Sequence, residues 1–204
     1  MFFEEEIFAA LSSCCGDKAP GPDGFTMAFW LFCWDVVKSK ILGLFREFYL
    51  HRTFQISLNS MFLVLIPKKE GAIDLRDFRP ISLVRSVYKL LAKVLANRLK
   101  LVMGEVISDS QQAFVQGRQI LDIVLIVSKV LDSRLKDNTP DLLLKMDIEK
   151  AFNHVNWDFL MDVMSKMGFG HRWINWMKWC CSMATFSILI NGSPLGFFRS
   201  SRGL

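Results

Sequence analysis

The sequence predicts an α+β protein, mostly helical, with a small and incomplete antiparallel sheet. Three observations predict it. Residues 83–103 carry apolar side chains at helical spacing, with Val84, Val87, Tyr88, Leu91, Leu95 and Leu99 on one face. Residues 142–167 read as strand, turn and helix in succession. Asn191-Gly192, set between two apolar runs, is a strong hairpin signal.

Each element follows in order. Residues 4–15 read as a helix that leads into Ala19-Pro-Gly-Pro-Asp-Gly24, where two prolines and two glycines in six residues force a tight, irregular loop. Residues 26–50 place Phe29, Phe32, Val36, Ile41 and Phe45 at roughly helical spacing. Residues 61–66 form a continuous apolar run stopped by Pro67, the pattern of a buried strand. A polar loop, Lys68 to Arg79, follows and ends at Pro80. Beyond the 83–103 helix, whose other face repeats Arg85, Lys89 and Lys93, a further helix is expected over Ile120 to Leu135. Asp137-Asn-Thr-Pro-Asp141 makes a turn, Leu142 to Ile148 a strand, and 157–167 a helix broken by Gly168-Phe-Gly170. A Trp-rich helix covers 172–182, and Thr185 to Ile190 forms a strand. The returning strand near Phe197-Phe-Arg199 runs to the last residues, a pattern expected of a truncated domain.

Composition narrows the function. With 51% hydrophobic and 22% charged residues, the chain has material for a core and is not of the disordered class. Its apolar runs are too short to span a bilayer, and its acidic start, Met1-Phe-Phe-Glu-Glu-Glu-Ile7, is unlike a secretory or transit peptide. An intracellular protein of nucleus or cytoplasm, with no membrane partner, is expected. Five cysteines in two adjacent pairs and a single fit neither a disulfide framework nor a metal cluster, and the three histidines are scattered. Ten Lys or Arg and five acids lie between Pro67 and Arg118, so the whole net charge of +5 sits in one quarter of the chain. Such a region suits a polyanion such as nucleic acid or a triphosphate, and on charge alone a solvated basic face fits about as well.

The segment richest in chemistry is Lys145-Met-Asp-Ile-Glu-Lys-Ala-Phe-Asn-His-Val155. An apolar strand that delivers a carboxylate and then turns is one way to hold a metal-binding Asp at a sheet edge. Phosphoryl transfer needs charge neutralisation and alignment, which carboxylate-bound Mg²⁺ ions supply. One Asp after a strand is by itself weak evidence, because Asp is common at turns. The wording around it is more specific. Asp147-Ile-Glu-Lys-Ala-Phe152 resembles the first palm motif of the reverse transcriptases of non-LTR (LINE-type) retrotransposons, in the plant-type form. Further blocks resemble the same family in the same order: Lys18-Ala-Pro-Gly-Pro-Asp-Gly-Phe25, Leu65-Ile-Pro-Lys-Lys69, and Asp77-Phe-Arg-Pro-Ile-Ser-Leu83 with Tyr88-Lys89 after it. Gln112-Ala-Phe-Val-Gln-Gly-Arg118, Ile190-Asn-Gly192 and Arg202-Gly-Leu204 complete the series.

The resemblance implies the fingers and partial palm of a right-hand polymerase, with a fingers-like region and palm-entry helices at 1–140 and part of the palm at 141–204. It implies an RNA-directed DNA polymerase that takes an RNA template, a DNA primer and deoxynucleoside triphosphates. Asp147 would bind both catalytic Mg²⁺ ions, assisted at one by the Ile148 carbonyl. Phe152 would sit against the incoming sugar and exclude a 2′-hydroxyl, although apart from the resemblance it reads equally as a core aromatic. Lys68 and Arg79 would meet the triphosphate. Arg118 would contact template or phosphate, with a salt bridge as the rival role. Asn153 stands where the family usually has Asp, at the cost of a charge. The family's third palm motif holds two adjacent aspartates, and no Asp-Asp pair occurs in these 204 residues. The chain by itself is therefore expected to be inactive. Two rival readings are a non-catalytic nucleic-acid-binding remnant and a maturase-type splicing relative.

Overall fold

The computed structural model describes residues 1–52, 56–113, 115–136, 142, 144, 146, 148 and 150–203. The chain divides into two compact units, one of Met1–Leu95 with Phe152–Leu204 and one of Ala96–Ala151.

The first unit opens with α1 (Glu4–Ser12), whose three leading glutamates complement the positive end of the helix dipole and whose Ile7, Ala10 and Leu11 are buried. The expected 26–50 helix is two. Thr26 caps α2 (Met27–Phe32) by accepting from the Phe29 amide at 3.2 Å, and the chain breaks at Cys33 before α3 (Trp34–His51). The break starts a new helical phase in which Trp34, Ile41, Phe45 and Phe48 share the buried face.

Strand β1 (Ser60–Pro67) buries alternate residues Met61 and Leu63. It turns through a 3₁₀ turn (Leu75–Asp77) into β2 (Phe78–Leu83), a strand where a polar loop ended by Pro80 was expected. Pro80 is accommodated because β2 is an edge strand and its missing N–H removes no ladder bond. After the start of α4 (Ser86–Val106), which buries Val87, Leu90, Leu91, Val94 and Leu95, the first unit resumes at Phe152 in α6 (Ala151–His154). Helix α7 (Trp157–Lys166) is capped by the Asn156 side chain at 3.0 Å, and the positive φ of Gly168 ends that turn before α8 (His171–Ser182). Strands β3 (Thr185–Ile190) and β4 (Ser193–Arg199) form the expected hairpin, with positive φ at both Asn191 and Gly192 as a type I′ turn requires.

The sheet order is β2-β1-β3-β4. The expectation of an antiparallel sheet is corrected in one pairing: β1 and β3 run parallel, so the sheet is mixed within the α+β architecture. Parallel neighbours need a long crossover, and the helices between them supply it. The core gathers Phe2, Ile7, Phe45, Phe48, Leu91 and Trp176 with other apolar residues of α1 to α4 and α8. Phe48 meets Trp176 at 5.7 Å and Trp179 at 5.5 Å, while Phe2 meets Trp176 at 5.2 Å.

The second unit holds the end of α4 and α5 (Ile120–Lys136). The expected turn at 137–141 lies outside the described residues. Of the expected strand at 142–148, Leu142, Leu144, Met146 and Ile148 are described; they are exposed and lie in no strand.

Candidate active site

Asp147, the expected metal ligand, lies outside the described residues. Ile148 is 73% exposed. At Lys150 the backbone turns through φ 50° and enters α6, the short helix that carries Phe152. The Phe152 ring is 64% exposed and meets Trp157 edge-on at 6.0 Å, so it is not a buried core aromatic. With Trp157 it lines a cavity of about 470 Å³ between the sheet and α4, α7 and α8, where Met61, Tyr88, Met177 and Phe186 complete the apolar wall.

Ser201 and Gly203 brace the turn that carries Phe152. The Trp157 amide donates to the Ser201 carbonyl at 3.3 Å, and the Gly203 amide donates to the Val155 carbonyl at 3.2 Å. A Cβ on Gly203 would overlap the Phe152 carbonyl. Glycine there lets one backbone lie directly on the other, so the Arg202-Gly203 block positions the residue proposed for sugar discrimination.

Lys68 and Arg79 sit on the β1–β2 hairpin. Lys68 donates its Nζ to the Arg76 carbonyl at 2.7 Å and its amide to the Asp77 carbonyl at 2.7 Å, while Arg79 pairs across the ladder with Ile66 and is exposed. Lys69 pairs with Asp77 at 2.8 Å, and Asp74 caps the turn through the Arg76 amide at 2.8 Å. The hairpin thus braces itself and keeps the Arg79 guanidinium at the surface.

Arg118, in the second unit, faces the chain's own acceptors. Its guanidinium donates to the Ser108 and Gln111 carbonyls at 2.6 Å each, to Ile107 at 3.1 Å and to Gly104 at 3.4 Å. It also pairs with Asp109 at 3.3 Å, and its side chain is only 15% exposed. It collects a carbonyl of the last turn of α4 and three of the loop that follows, and the salt bridge named as its rival role is present.

Two further sets of contacts join residues far apart in sequence. A Cβ on Gly21 would overlap the Val84 carbonyl, and Asp23 accepts from the Ser86 amide at 2.7 Å, capping α4 from 63 residues away. The Ser86 hydroxyl donates to the Phe25 carbonyl at 2.7 Å, so the Pro-Gly loop is docked on the start of α4. The turn composition marked the loop, but nothing in it marked the helix it caps. Asn59 donates to the Trp179 carbonyl at 2.9 Å and Tyr88 to the Cys180 carbonyl at 2.7 Å, satisfying acceptors in the last turn of α8. Burial pushes the Tyr88 hydroxyl well above its ordinary value, and the neighbouring Cys180 and Cys181 add to the rise. Burial likewise raises the Cys180 thiol, with Cys181 adding to it and the Tyr88 hydrogen bond opposing it.

The Asp147 carboxylate and Ile148 carbonyl are hard oxygen donors of the kind Mg²⁺ takes. Two such oxygens do not complete a site, and no group of three His, Cys, Asp or Glu that could hold a metal occurs among the described residues. No described helix is long and apolar enough to cross a membrane.

Comparison with known proteins places this constellation. The sequence model of the family described as reverse transcriptase (RNA-dependent DNA polymerase) matches residues 66–204. The chain is 31% identical over 201 residues to the transposon TX1 uncharacterized 149 kDa protein of Xenopus laevis, covering 97% of this chain and 15% of that protein. It is 26% identical over 193 residues to the retrovirus-related Pol polyprotein from type-1 retrotransposable element R2 of Nasonia vitripennis, covering 93% and 18%. It is 29% identical over 167 residues to the probable RNA-directed DNA polymerase from transposon BS of Drosophila melanogaster, covering 80% and 18%. The chain therefore spans less than a fifth of the length of these three relatives. All three come from animal elements, which gives the plant-type expectation no support. From the β1–β2 hairpin through Phe152 to the Arg202-Gly203 brace, the chain belongs to the reverse transcriptase (RNA-dependent DNA polymerase) family, of the non-LTR retrotransposon type.

Proposed function

We propose that this chain carries the nucleotide-facing part of an RNA-directed DNA polymerase that copies an RNA template from a DNA primer. The observation that supports it best is the exposed Phe152, five residues after Asp147, braced from behind by Gly203 and Trp157. Asp147 and the Ile148 carbonyl hold divalent metal, with Mg²⁺ the ion their oxygens suit. When bound, such ions neutralise charge on the transferring phosphate. Phe152 packs under C2′ of the incoming sugar and leaves no room for a hydroxyl. Arg79 offers paired donors to the triphosphate, and Lys68 can exchange the Arg76 carbonyl for a phosphate oxygen. Arg118 shapes the loop after α4 and meets nucleic acid only through that loop.

The test is primer extension on an RNA template with Mg²⁺, using the longest polypeptide in which these residues occur. Asp147→Asn abolishes extension. Phe152→Val keeps extension with deoxynucleotides and admits ribonucleotides. Extension that survives Asp147→Asn removes the assigned metal ligand, and unchanged ribonucleotide rejection removes the role of Phe152.

A further inference from the structure

Phe152 stands over empty space. It borders the cavity of about 470 Å³ and is also 64% exposed, so much of its surface has no packed neighbour. A ring beside a void forfeits the dispersion contacts that fix an aromatic in a close-packed core. What holds it is Trp157, edge-on at 6.0 Å, together with the turn beneath it. In that turn the Val155 amide donates to the Phe152 carbonyl at 3.3 Å, and Gly203 lies against the same carbonyl. A Cβ on Gly203 would also come within 3.0 Å of Cδ1 of the ring.

Trp157 is suited to hold a neighbour. It is only 8% exposed and opens α7, where the Asn156 cap and the bond of its own amide to the Ser201 carbonyl fix its backbone. Its indole N–H is buried and finds no acceptor among the described residues. Such a donor costs stability rather than adding it; what the position gains is a flat, rigid body beside Phe152. With no hydrogen bond to the indole, packing alone sets its plane, and on the cavity side that packing is incomplete. Leu160, three residues on along the same face of α7, and Met177 of α8 line the same cavity and are only half-buried.

We propose that selectivity for the sugar is set from behind Phe152, a step that rests on reading Phe152 as the residue that meets the sugar. Trp157 is a positioning residue, and the space lined by Leu160 and Met177 fixes how far the ring can withdraw from C2′. A group that excludes a hydroxyl by contact must hold its place closely, since a displacement of about 1 Å is worth up to about a hundredfold in rate. Trp157, Leu160 and Met177 act on the nucleotide only through the ring.

The test measures kcat and KM for a deoxynucleotide and for the matching ribonucleotide, in primer extension by the longest polypeptide in which these residues occur. Trp157→Leu removes the edge contact and lowers discrimination about tenfold or more, with the change falling on the KM of the ribonucleotide. Trp157→Phe, which keeps an aromatic edge, retains most of the discrimination. Leu160→Phe fills the space behind the ring and moves discrimination the other way. In the Phe152→Val background neither Trp157→Leu nor Leu160→Phe changes discrimination further, because the ring through which they act is gone. Circular dichroism melting checks that each variant is folded, and Met177→Phe replaces Trp157→Leu in the comparison if the latter does not fold. Unchanged discrimination in the folded variants, while Phe152→Val admits ribonucleotides, overturns the proposal and leaves Phe152 in its role. Equal effects of Trp157→Leu with and without the Phe152 ring overturn it as well, since the residue would then act on the fold at large. Unchanged ribonucleotide rejection by Phe152→Val overturns the reading of Phe152 itself, and the proposal with it.

Discussion

Asn59 and Tyr88 show how much of this fold hangs on single polar contacts. Both reach the last turn of α8, and Asn59 does so while almost fully buried. Removing a buried hydrogen-bonded donor of this kind costs about 1–3 kcal/mol. Asn59→Ala is therefore expected to lower unfolding stability by roughly 2 kcal/mol in urea titration with little change in slope. An unchanged midpoint would mean that the Trp179 carbonyl finds another donor. The same cluster sets an alkaline limit. Tyr88 and Cys180 have folded-state values raised above their ordinary 10.0 and 9.0 by burial, so the folded state holds their protons where the unfolded chain has lost them. The stability they contribute is fully present below about pH 9 and falls as pH rises beyond it. Thermal melts from pH 7 to 11 should show Tm dropping above about pH 9, and the drop should shrink in Tyr88→Phe.

At the scale of elements, the loop from Ala19 to Phe25 and helix α5 make opposite cases. The loop is short of regular structure yet tightly docked, because Gly21 admits the Val84 backbone and Asp23 caps α4. Gly21→Ala must push the loop off the helix start, and overpacking of that kind costs about 1–3 kcal/mol. A melt unchanged by Gly21→Ala would show that the loop shifts freely. Helix α5 is regular but lacks cover: Leu121, Val124, Leu125, Val130 and Leu135 are all exposed. Apolar surface of that extent promotes association. Val124→Glu with Leu131→Glu should reduce binding of an apolar dye and the apparent mass in light scattering, while shifting stability by no more than about 0.5 kcal/mol. Unaltered dye binding would place the sticky surface elsewhere.

For the whole molecule, the long reach of its pairings governs behaviour. Ser60 pairs with Thr185 in parallel strands, Asn59 bonds Trp179, and the aromatic core joins Phe2 to Trp176. The ends of the chain must therefore meet before the core closes, and loop-closure entropy makes that slow. A fragment of residues 1–170 lacks α8 and β3, so Phe48 and β1 lose their partners. It should unfold without a cooperative transition, against a sigmoidal transition for residues 1–204, as followed by Trp fluorescence. A sigmoidal transition in the fragment would show that α1 to α4 close a core of their own.

Local chemistry was enough to read most elements from the sequence alone. Helical periodicity marked α4, the Gly168-Phe-Gly170 break separated α7 from α8, the Asn191-Gly192 pair placed the β3–β4 hairpin, and the ordered blocks from Lys18 to Gly203 carried the family. These signals lie within a few residues of one another, where spacing and turn conformation decide. The strand β2 was hidden because Pro80 reads as a stop unless the strand is known to lie at an edge. The parallel β1–β3 pairing, the capping of α4 by Asp23 and the Gly203 brace under Phe152 depend on partners far apart in sequence. No periodicity encodes which distant segment a side chain will meet; only the packed core, by bringing α1, α4 and α8 together, decides that.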